Sequence, residues 1–195
     1  MAAFMDIEVR RGGQECLEQY GEVPIRFRVE SVFRVVEADG GPGGLLLREE
    51  KLAKPYEKDY DSYEEGGPVR WRPRFDVSGW GIFMAFADGR HVGGAVVAVG
   101  PEIDNIPKGW AKLFDIRVHP DLRRRGIGTA LFEPAVAWCR EHGIAMLEIE
   151  TQNVNVQACR FYAGRGCRLG TIDRYGYAGH PQVGHEAALY WYIEP

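Results

Sequence analysis

The sequence lacks the cysteine patterns that hold metal ions. Its four cysteines, Cys16, Cys139, Cys159 and Cys167, include no C-x-x-C pair, and no arrangement with histidine has metal-site spacing. Long apolar runs are also missing: the apolar stretch in the N-terminal MAAFMDIEVRR is too short for a signal peptide, and no run approaches the length that crosses a bilayer. We therefore expect reduced thiols in a cytoplasmic protein, with no bound metal and no membrane partner.

The sequence also has no excess of positive charge. Its 24 lysines and arginines face 28 aspartates and glutamates, which gives a formal net charge of -4. Such a chain repels a polyanion and mildly attracts a cation, so we expect no nucleic-acid partner and favour an amine substrate. The 195 residues suit one substantial core, and 45% hydrophobic with 27% charged residues is typical of a soluble globular protein. We predict one domain over residues 1–195.

The hydrophobic pattern predicts a mixed α/β chain. After a short strand and a short helix near the N-terminus, two strands flank the DGGPGG turn, and a hairpin is predicted at Asp88-Gly89. The segment WAKLFDIRV, the helix that follows it and the buried strand AMLEIET form a βαβ unit, which requires a parallel strand pair. A short helix (NVQACRFYAGRG) and two further strands (CRLGTID and EAALYWYI) complete the prediction. The apolar last strand is either covered by the chain itself or the edge of a homodimer.

A long segment between Ala53 and Trp80 shows neither helical nor strand periodicity. We interpret it as a surface loop, either a lid over a substrate cleft or a solvated connection. Its first half is acidic and its second half is basic. The charged residues concerned are Glu57, Asp59, Asp61, Glu64 and Glu65, followed by Arg70, Arg72 and Arg74.

The stretch RRRGIG, residues 123–128, lies between a predicted strand and a predicted helix. Such a turn aims free backbone N–H groups at one point, and the helix dipole adds partial positive charge there. The glycines let a phosphate approach the backbone, and the arginines add charge and donors. The pattern predicts a phosphorylated ligand, although a basic turn is often only a solvated loop. It lacks the Lys-Ser/Thr of a P-loop and the G-x-G-x-x-G of a dinucleotide fold.

The pattern Arg123-x-x-Gly126-x-Gly128, followed by Asn155-x-x-Ala158-x-x-Phe161-Tyr162, resembles the GCN5-related N-acetyltransferases, the GNAT superfamily. The resemblance implies a single-domain GNAT fold: a mixed, mostly antiparallel sheet with a central splayed parallel strand pair flanked by helices. It implies acetyl coenzyme A (acetyl-CoA) as cosubstrate, bound by a core of about residues 111–170. The coenzyme-binding residues that it implies are Ile116, Val118, Arg123, Arg124, Arg125, Gly126, Ile127, Gly128, Thr129, Asn155, Ala158, Phe161 and Tyr162.

Three further stretches resemble the streptothricin acetyltransferase branch of that superfamily: the string from Glu150 to Tyr177, the segment EAALYWY and the segment PYEKDYD. The branch acetylates an amine on the β-lysine part of a cationic antibiotic, which implies the same small-molecule acceptor here. Two departures concern the acceptor pocket: Cys167 replaces an aromatic, and Lys112-Leu113-Phe114 replaces a more acidic stretch. An aminoglycoside, a polyamine or a protein lysine stays open as acceptor, as does a non-catalytic acyl-CoA sensor.

The resemblance also implies catalytic residues. Tyr162 matches the general acid that protonates the coenzyme sulfur, and the N–H of Val118 matches the oxyanion donor. Asn155 is both a helix N-cap and a ligand of the pantetheine amide. For the amine's base we favour Glu150 and Asp115 over Glu148, with Asp173 as a weaker acceptor-binding candidate. A core aromatic for Tyr162, and ordinary strand carboxylates for the acids, are the alternatives.

Overall fold

The computed structural model describes residues 5–63, 67–103 and 106–195, which form nine β-strands and four α-helices joined by turns and short 3-10 segments. The elements in chain order are β1 (Ile7–Gly12), α1 (Leu17–Gly21), β2 (Phe27–Glu37), β3 (Leu45–Lys58), α2 (Trp71–Arg74), β4 (Gly81–Ala87), β5 (Arg90–Ala98), β6 (Trp110–Val118), α3 (Ile127–Glu141), β7 (Met146–Gln152), α4 (Val156–Gly164), β8 (Arg168–Asp173) and β9 (Ala188–Ile193). Among these residues, no helix has the length and apolarity needed to span a membrane.

The strand order of the larger sheet is β1-β4-β5-β6-β7-β9-β8, and β2 pairs with β3 in a second sheet. The pairs β1–β4, β4–β5, β5–β6 and β8–β9 are antiparallel, whereas β6 and β7 are parallel. The predicted mixed α/β class and its βαβ unit are therefore confirmed. The predicted hairpin at Asp88-Gly89 is confirmed too, because both residues have positive φ (49° and 74°), as a tight two-residue turn requires.

The chain folds into two compact units. The first unit comprises residues 5–27, Asp59–Leu147 and Glu194–Pro195, and the second comprises Arg28–Lys58 and Glu148–Ile193. That residues 1–195 act as a single domain stays a prediction.

The core of the first unit lies between its strands and α3. The face of α3 that the periodicity predicts is buried, with Ile127, Leu131, Ala135 and Trp138 each at most 3% exposed. A second apolar cluster contains the rings of Trp71, Phe75, Trp80 and Phe114, whose neighbouring centroids lie 5.0–6.2 Å apart. Burial of large apolar side chains such as these favours folding of the unit.

The prediction of a surface loop between Ala53 and Trp80 is wrong for much of that segment. Strand β3 continues to Lys58, and Trp71, Val77 and Trp80 are buried in the core. The continuation of β3 beyond Ala53 was missed because β3 is exposed over most of its length and so carries no alternating pattern. Two of the acidic residues that we singled out, Glu64 and Glu65, lie outside the described residues.

The last strand is not a sheet edge. Strand β9 lies between β7 and β8, and Ala188, Leu189 and Trp191 are buried. Of the two alternatives for EAALYWYI, coverage by the chain itself is the one observed, because β8 pairs with its outer side. This strand therefore offers no edge for pairing with a second copy.

Candidate active site

The turn before α3 has the backbone of an anion site. Gly126, the N-cap of α3, has φ 89°, and Arg124 has φ 62°, so the chain turns through two left-handed residues. Arg124, Arg125 and Gly126 are exposed, whereas Ile127 is 1% exposed and anchors the helix start in the core. Among the residues that the structure describes, a Cβ on Gly126 would meet Ile7 Cδ1 alone, at 3.9 Å, which leaves the space above this glycine open.

The first turn of α3 suits a phosphate group. The first N–H to bond within the helix is that of Ala130, which donates to Gly126 O at 2.9 Å. By helix geometry, the N–H groups of residues 127–129 then point out of the helix end, where the macrodipole is positive. The exposed guanidinium groups of Arg124 and Arg125 add charge beside them. These residues fit the pyrophosphate that the resemblance implies.

Arg123 is directed elsewhere. Its Nε donates to Val118 O at 3.1 Å, and Nη2 donates to Arg26 O at 2.6 Å and to Ile25 O at 3.4 Å. Burial lowers the pKa of this guanidinium. Arg123 therefore ties the end of β6 to the segment before β2, and its role in coenzyme binding stays a prediction.

The pairing of β6 with β5 sets the direction of its main-chain groups. The N–H of His119 donates to Val92 O at 2.9 Å, next to the pairing of Val118 with Gly93 in β5. Because alternate residues of a strand direct their N–H and C=O groups to opposite edges, those of Ile116 and Val118 point away from β5. They point to the edge of β6 opposite β5, where Val118 O accepts the N–H of Arg123 Nε, and coenzyme binding at this edge stays a prediction.

A buried charge network lies beside this segment of β6. Arg117, whose side chain is 1% exposed, donates to both carboxylate oxygens of Asp115 (3.0 and 2.7 Å), to both of Asp61 (3.0 and 3.2 Å) and to Val23 O (3.1 Å). These five bonds use all five N–H groups of the guanidinium. Burial by itself lowers the pKa of Arg117, but the charge and hydrogen bonds of Asp115 outweigh it and raise the pKa overall.

Tyr20 completes the network. Its hydroxyl donates to Asp115 Oδ1 at 2.5 Å, and its ring lies 5.1 Å from the Arg117 guanidinium carbon. Burial, followed by the charge of Asp115, raises the pKa of Tyr20 well above its ordinary value. Gly94 of β5 makes room for the ring, since a Cβ there would lie 2.2 Å from Tyr20 Cε2.

These contacts bear on Asp115 as a candidate base. Its side chain is 8% exposed, and its two oxygens accept three hydrogen bonds from Arg117 and Tyr20. A general base needs a lone pair that can reach the amine proton. The structure thus places Asp115 in a supporting ion pair, and its role as base stays a prediction.

In the second unit, α4 carries the other predicted site residues. Asn155 is its N-cap, as predicted, and Asn155 Oδ1 accepts the N–H of Ala158 at 3.1 Å. Tyr162 lies two turns further along and is 5% exposed, with its ring 5.5 Å from that of Phe161. Cys159 is 1% exposed, and burial raises the pKa of its thiol to about 12, which fits packing rather than nucleophilic chemistry.

Carboxylates and tyrosines of the second unit lie on β7, β8 and β9 and in the segment between β8 and β9. Tyr177 donates its hydroxyl hydrogen to Glu150 Oε1 at 2.7 Å. Burial raises the pKa of Tyr190 to about 12, and the charges of Glu150, Glu148 and Asp173 act in the same direction. Glu148 is 5% exposed, whereas Glu150 and Asp173 are partly exposed, so Glu150 is the more accessible of the two β7 carboxylates.

A buried ion pair fixes another part of this unit. Lys58, at the end of β3, donates to both oxygens of Glu186, and the two side chains are only 2% and 3% exposed. Burial lowers the pKa of Lys58, although the charge of Glu186 opposes that effect. Across residues 5–63, 67–103 and 106–195, no group of three or more His, Cys, Asp or Glu could hold a metal ion.

The comparison with known families settles the class of protein. Residues 46–167 match the model of the Acetyltransferase (GNAT) family, a stretch that is more than half of the chain. This chain belongs to the GNAT acetyltransferases. The family assignment makes it an N-acetyltransferase, as the resemblance implied.

The relatives of this GNAT acetyltransferase include two streptothricin acetyltransferases. It is 32% identical over 152 residues to streptothricin acetyltransferase A of Bacillus subtilis (strain 168), which covers 78% of this chain and 81% of that protein. It is also 32% identical over 166 residues to streptothricin acetyltransferase of Escherichia coli, which covers 85% of this chain and 84% of that protein. A Bacillus anthracis str. Ames structure, assigned as a streptothricin acetyltransferase in complex with acetyl coenzyme A, has a TM-score of 0.76 at 24% identity. It covers 97% of this chain and 100% of that one.

Several residues of the GNAT acetyltransferase's site region were not identified from the sequence. Arg117 and Tyr20 hydrogen-bond to the predicted residue Asp115, and Tyr177 hydrogen-bonds to the predicted residue Glu150. Asn153 supports the start of α4. The spacing Asp115-x-Arg117 does place two opposite charges on one strand face, a signal that could have been read. The partners of Tyr20 and Tyr177 are 95 and 27 residues away in the chain, and no local pattern reports such distances.

Proposed function

We propose that this acetyltransferase transfers the acetyl group of acetyl-CoA directly to a primary amine of a small cationic antibiotic, the β-lysine amine of a streptothricin. The observation that carries the proposal is the 32% identity with two streptothricin acetyltransferases over about four-fifths of the chain. The net charge of -4 and the carboxylates of the second unit suit a cationic acceptor. The corresponding cellular role is antibiotic resistance.

The turn before α3 is the proposed binding site for the coenzyme's pyrophosphate. When bound, acetyl-CoA supplies an activated acetyl thioester whose leaving group is a thiolate. The N–H groups of Ile127, Gly128 and Thr129 donate to the phosphate oxygens, and Arg124 and Arg125 neutralise their charge. This assignment uses the exposed, left-handed backbone around Gly126.

Two donors are proposed for the chemistry of the thioester. The N–H of Val118, which points away from β5, donates to the acetyl carbonyl oxygen as negative charge develops there. Tyr162 donates the proton that the departing sulfur requires. Asn155 keeps its cap bond to Ala158 N–H and uses its amide nitrogen for the pantetheine arm.

Glu150 is the proposed acceptor of the amine's proton, directly or through water. It is partly exposed and accepts a hydrogen bond from Tyr177, and a carboxylate is the group best suited to receive a proton from an ammonium. Asp115, by contrast, is proposed to support β6 through Arg117. Direct attack of a neutral amine on the thioester needs no covalent enzyme intermediate, so Cys159 has no catalytic task.

The test is release of coenzyme A thiol from acetyl-CoA, with a streptothricin compared with an aminoglycoside, a polyamine and free lysine. Fast turnover with the streptothricin alone is the expected result. Turnover with another of these amines, or with none while acetyl-CoA still binds, would overturn the acceptor assignment. In the latter case the family assignment stands, and the acceptor has to be sought in a wider screen of amines.

Tyr162→Phe tests the proton donor separately. We expect kcat to fall about 100-fold with unchanged affinity for acetyl-CoA, since only the hydroxyl is lost. Tyr175→Phe is the matched control, because Tyr175 is a tyrosine of the same unit that is 75% exposed. Wild-type kcat in Tyr162→Phe would reject the proposed proton donor.

A further inference from the structure

Asn153 lies in the short connection between β7 and α4 and is 8% exposed. Its main-chain N–H donates to Ala187 O at 3.0 Å, and its main-chain oxygen accepts the N–H of Phe33 at 2.9 Å. Its side chain makes the reciprocal bonds: Nδ2 donates to Phe33 O at 2.8 Å, and Oδ1 accepts the N–H of Ala187 at 2.9 Å. One residue thus satisfies both main-chain groups of Phe33 and both of Ala187.

Only asparagine provides this combination at this length. Aspartate has the same shape but no donor for Phe33 O, and alanine has neither donor nor acceptor. Buried main-chain groups that lose their hydrogen-bond partner carry a large desolvation penalty, so the bonds to Asn153 strongly favour one conformation of the connection. The side-chain amide acts as an extra peptide group that fixes the connection on two sides.

Both partners of Asn153 are themselves held in place. Phe33 belongs to β2, and Ala187 follows Glu186, whose carboxylate forms the buried pair with Lys58 of β3. The connection ends at Asn155, the N-cap of α4, whose N–H donates to Gln152 O at 2.9 Å. The connection before α4 is therefore tied to β2 through Phe33 and, through Ala187 and its neighbour Glu186, to the end of β3.

We propose that Asn153 is a positioning residue for acetyl transfer, because it sets the start of α4 and thereby the places of Asn155 and Tyr162. This inference rests on the proposed function of those two residues. Tyr162 lies seven residues after the N-cap, two helical turns or about 10 Å along the axis, on the same face. A helix is rigid over that length, so a change at its start is transmitted to the Tyr162 hydroxyl.

The test is a double-mutant cycle on kcat with Asn153→Ala and Tyr162→Phe. We expect Asn153→Ala alone to lower kcat about 30-fold, the scale on which misplacement of a catalytic group acts. In the Tyr162→Phe background the same substitution should lower kcat less than about 3-fold, because the group that it misplaces has already been removed. A residue that only maintained the fold would act equally in both backgrounds.

Two further variants sharpen the test. Asn153→Asp keeps the acceptor for Ala187 N–H and loses the donor for Phe33 O, so its kcat should lie between those of wild type and Asn153→Ala. Val29→Ala is the stability control: Val29 is a β2 residue 1% exposed, and its truncation should lower Tm without lowering kcat. All kcat values are expressed per active enzyme, measured by binding of acetyl-CoA.

Three results would overturn the inference: wild-type kcat in Asn153→Ala, equal fold-losses in the two backgrounds, or a kcat loss in Val29→Ala that matches that of Asn153→Ala. If Asn153→Ala does not fold, the cycle with Asn153→Asp decides by the same criterion. Full activity of Tyr162→Phe alone would instead reject the proposed function of Tyr162, and the inference with it. Failure of the inference and failure of the function are thus distinguished by the Tyr162→Phe result.

Discussion

Replacement of Arg117 by methionine tests the buried network of the first unit. Methionine keeps most of the apolar stem of the arginine and removes its five donors. The loss leaves the carboxylate of Asp115, whose side chain is 8% exposed, without its cation and dependent on the hydroxyl of Tyr20. Asp61 loses the same partner, but its side chain is 31% exposed and can be solvated by water.

The expected cost follows from that burial. Removal of one member of a buried ion pair costs about 3–5 kcal/mol, because an uncompensated charge remains in the interior. Since Asp115 is the deeply buried partner and Asp61 is not, we expect a loss of about 4 kcal/mol of unfolding free energy. This is a large part of the about 5–15 kcal/mol that stabilises a typical domain.

Urea unfolding followed by tryptophan fluorescence measures this cost. The matched control is Arg34→Met, since Arg34 pairs with Glu50 on the surface, where both side chains are more than half exposed. The control should leave the unfolding free energy unchanged within error, because exposed ion pairs contribute little. A loss below about 1 kcal/mol in Arg117→Met would refute the reasoning that the network is a buried, mutually dependent ion pair.

The other predictions concern the coenzyme turn and one thiol. Gly126→Glu should abolish acetyl-CoA binding in calorimetry, since it adds negative charge and a Cβ at a φ of 89°, whereas Gly126→Asn should retain much of it; equal affinities would contradict the phosphate assignment. Arg124→Gln should weaken binding about tenfold and reduce its salt dependence, whereas Arg123→Gln should lower Tm and leave the salt dependence unchanged. Burial raises the pKa of Cys159 to about 12, so an unfolded thiol ionises first, and stability should fall as the pH rises from about 8.5 towards 12. Cys159→Ala should remove about 1.4 kcal/mol per pH unit of that slope above pH 9 in urea titrations, and an unchanged slope in this variant would contradict the assignment.

Elements with a strong local signal were predicted correctly. The helix after RRRGIG has a buried apolar face and a glycine just beyond its end, and the Asp88-Gly89 hairpin has its own turn chemistry. Periodicity and turn residues report such elements because the relevant contacts lie within a few residues. Strand β3 beyond Ala53 was missed because its pairing with β2 leaves it largely exposed, and an exposed strand has no hydrophobic face to reveal it.

The candidate site, like the fold, has parts that local sequence patterns predict and parts that they do not. The motif around Gly126 and the cap at Asn155 are short patterns, and both have the local geometry that the sequence predicted. The motif assigns the side chain of Arg123 to a phosphate, whereas in the structure this side chain donates to main-chain oxygens 97 and 98 residues away. A motif specifies where a residue lies in the chain, whereas its hydrogen-bond partners depend on the fold around it.

The sequence by itself determined the family, the order of the strands and of the helices other than α2, and the glycine turn before α3, since each depends on local patterns. Tertiary structure alone decided that Asp115 is engaged by Arg117 and Tyr20, that Glu150 is the more accessible of the β7 carboxylates, and that Asn153 fixes the start of α4. The physical reason is burial: the charge and hydrogen-bonding capacity of a side chain are set by the groups that replace water around it. In this chain those groups come from residues distant in sequence.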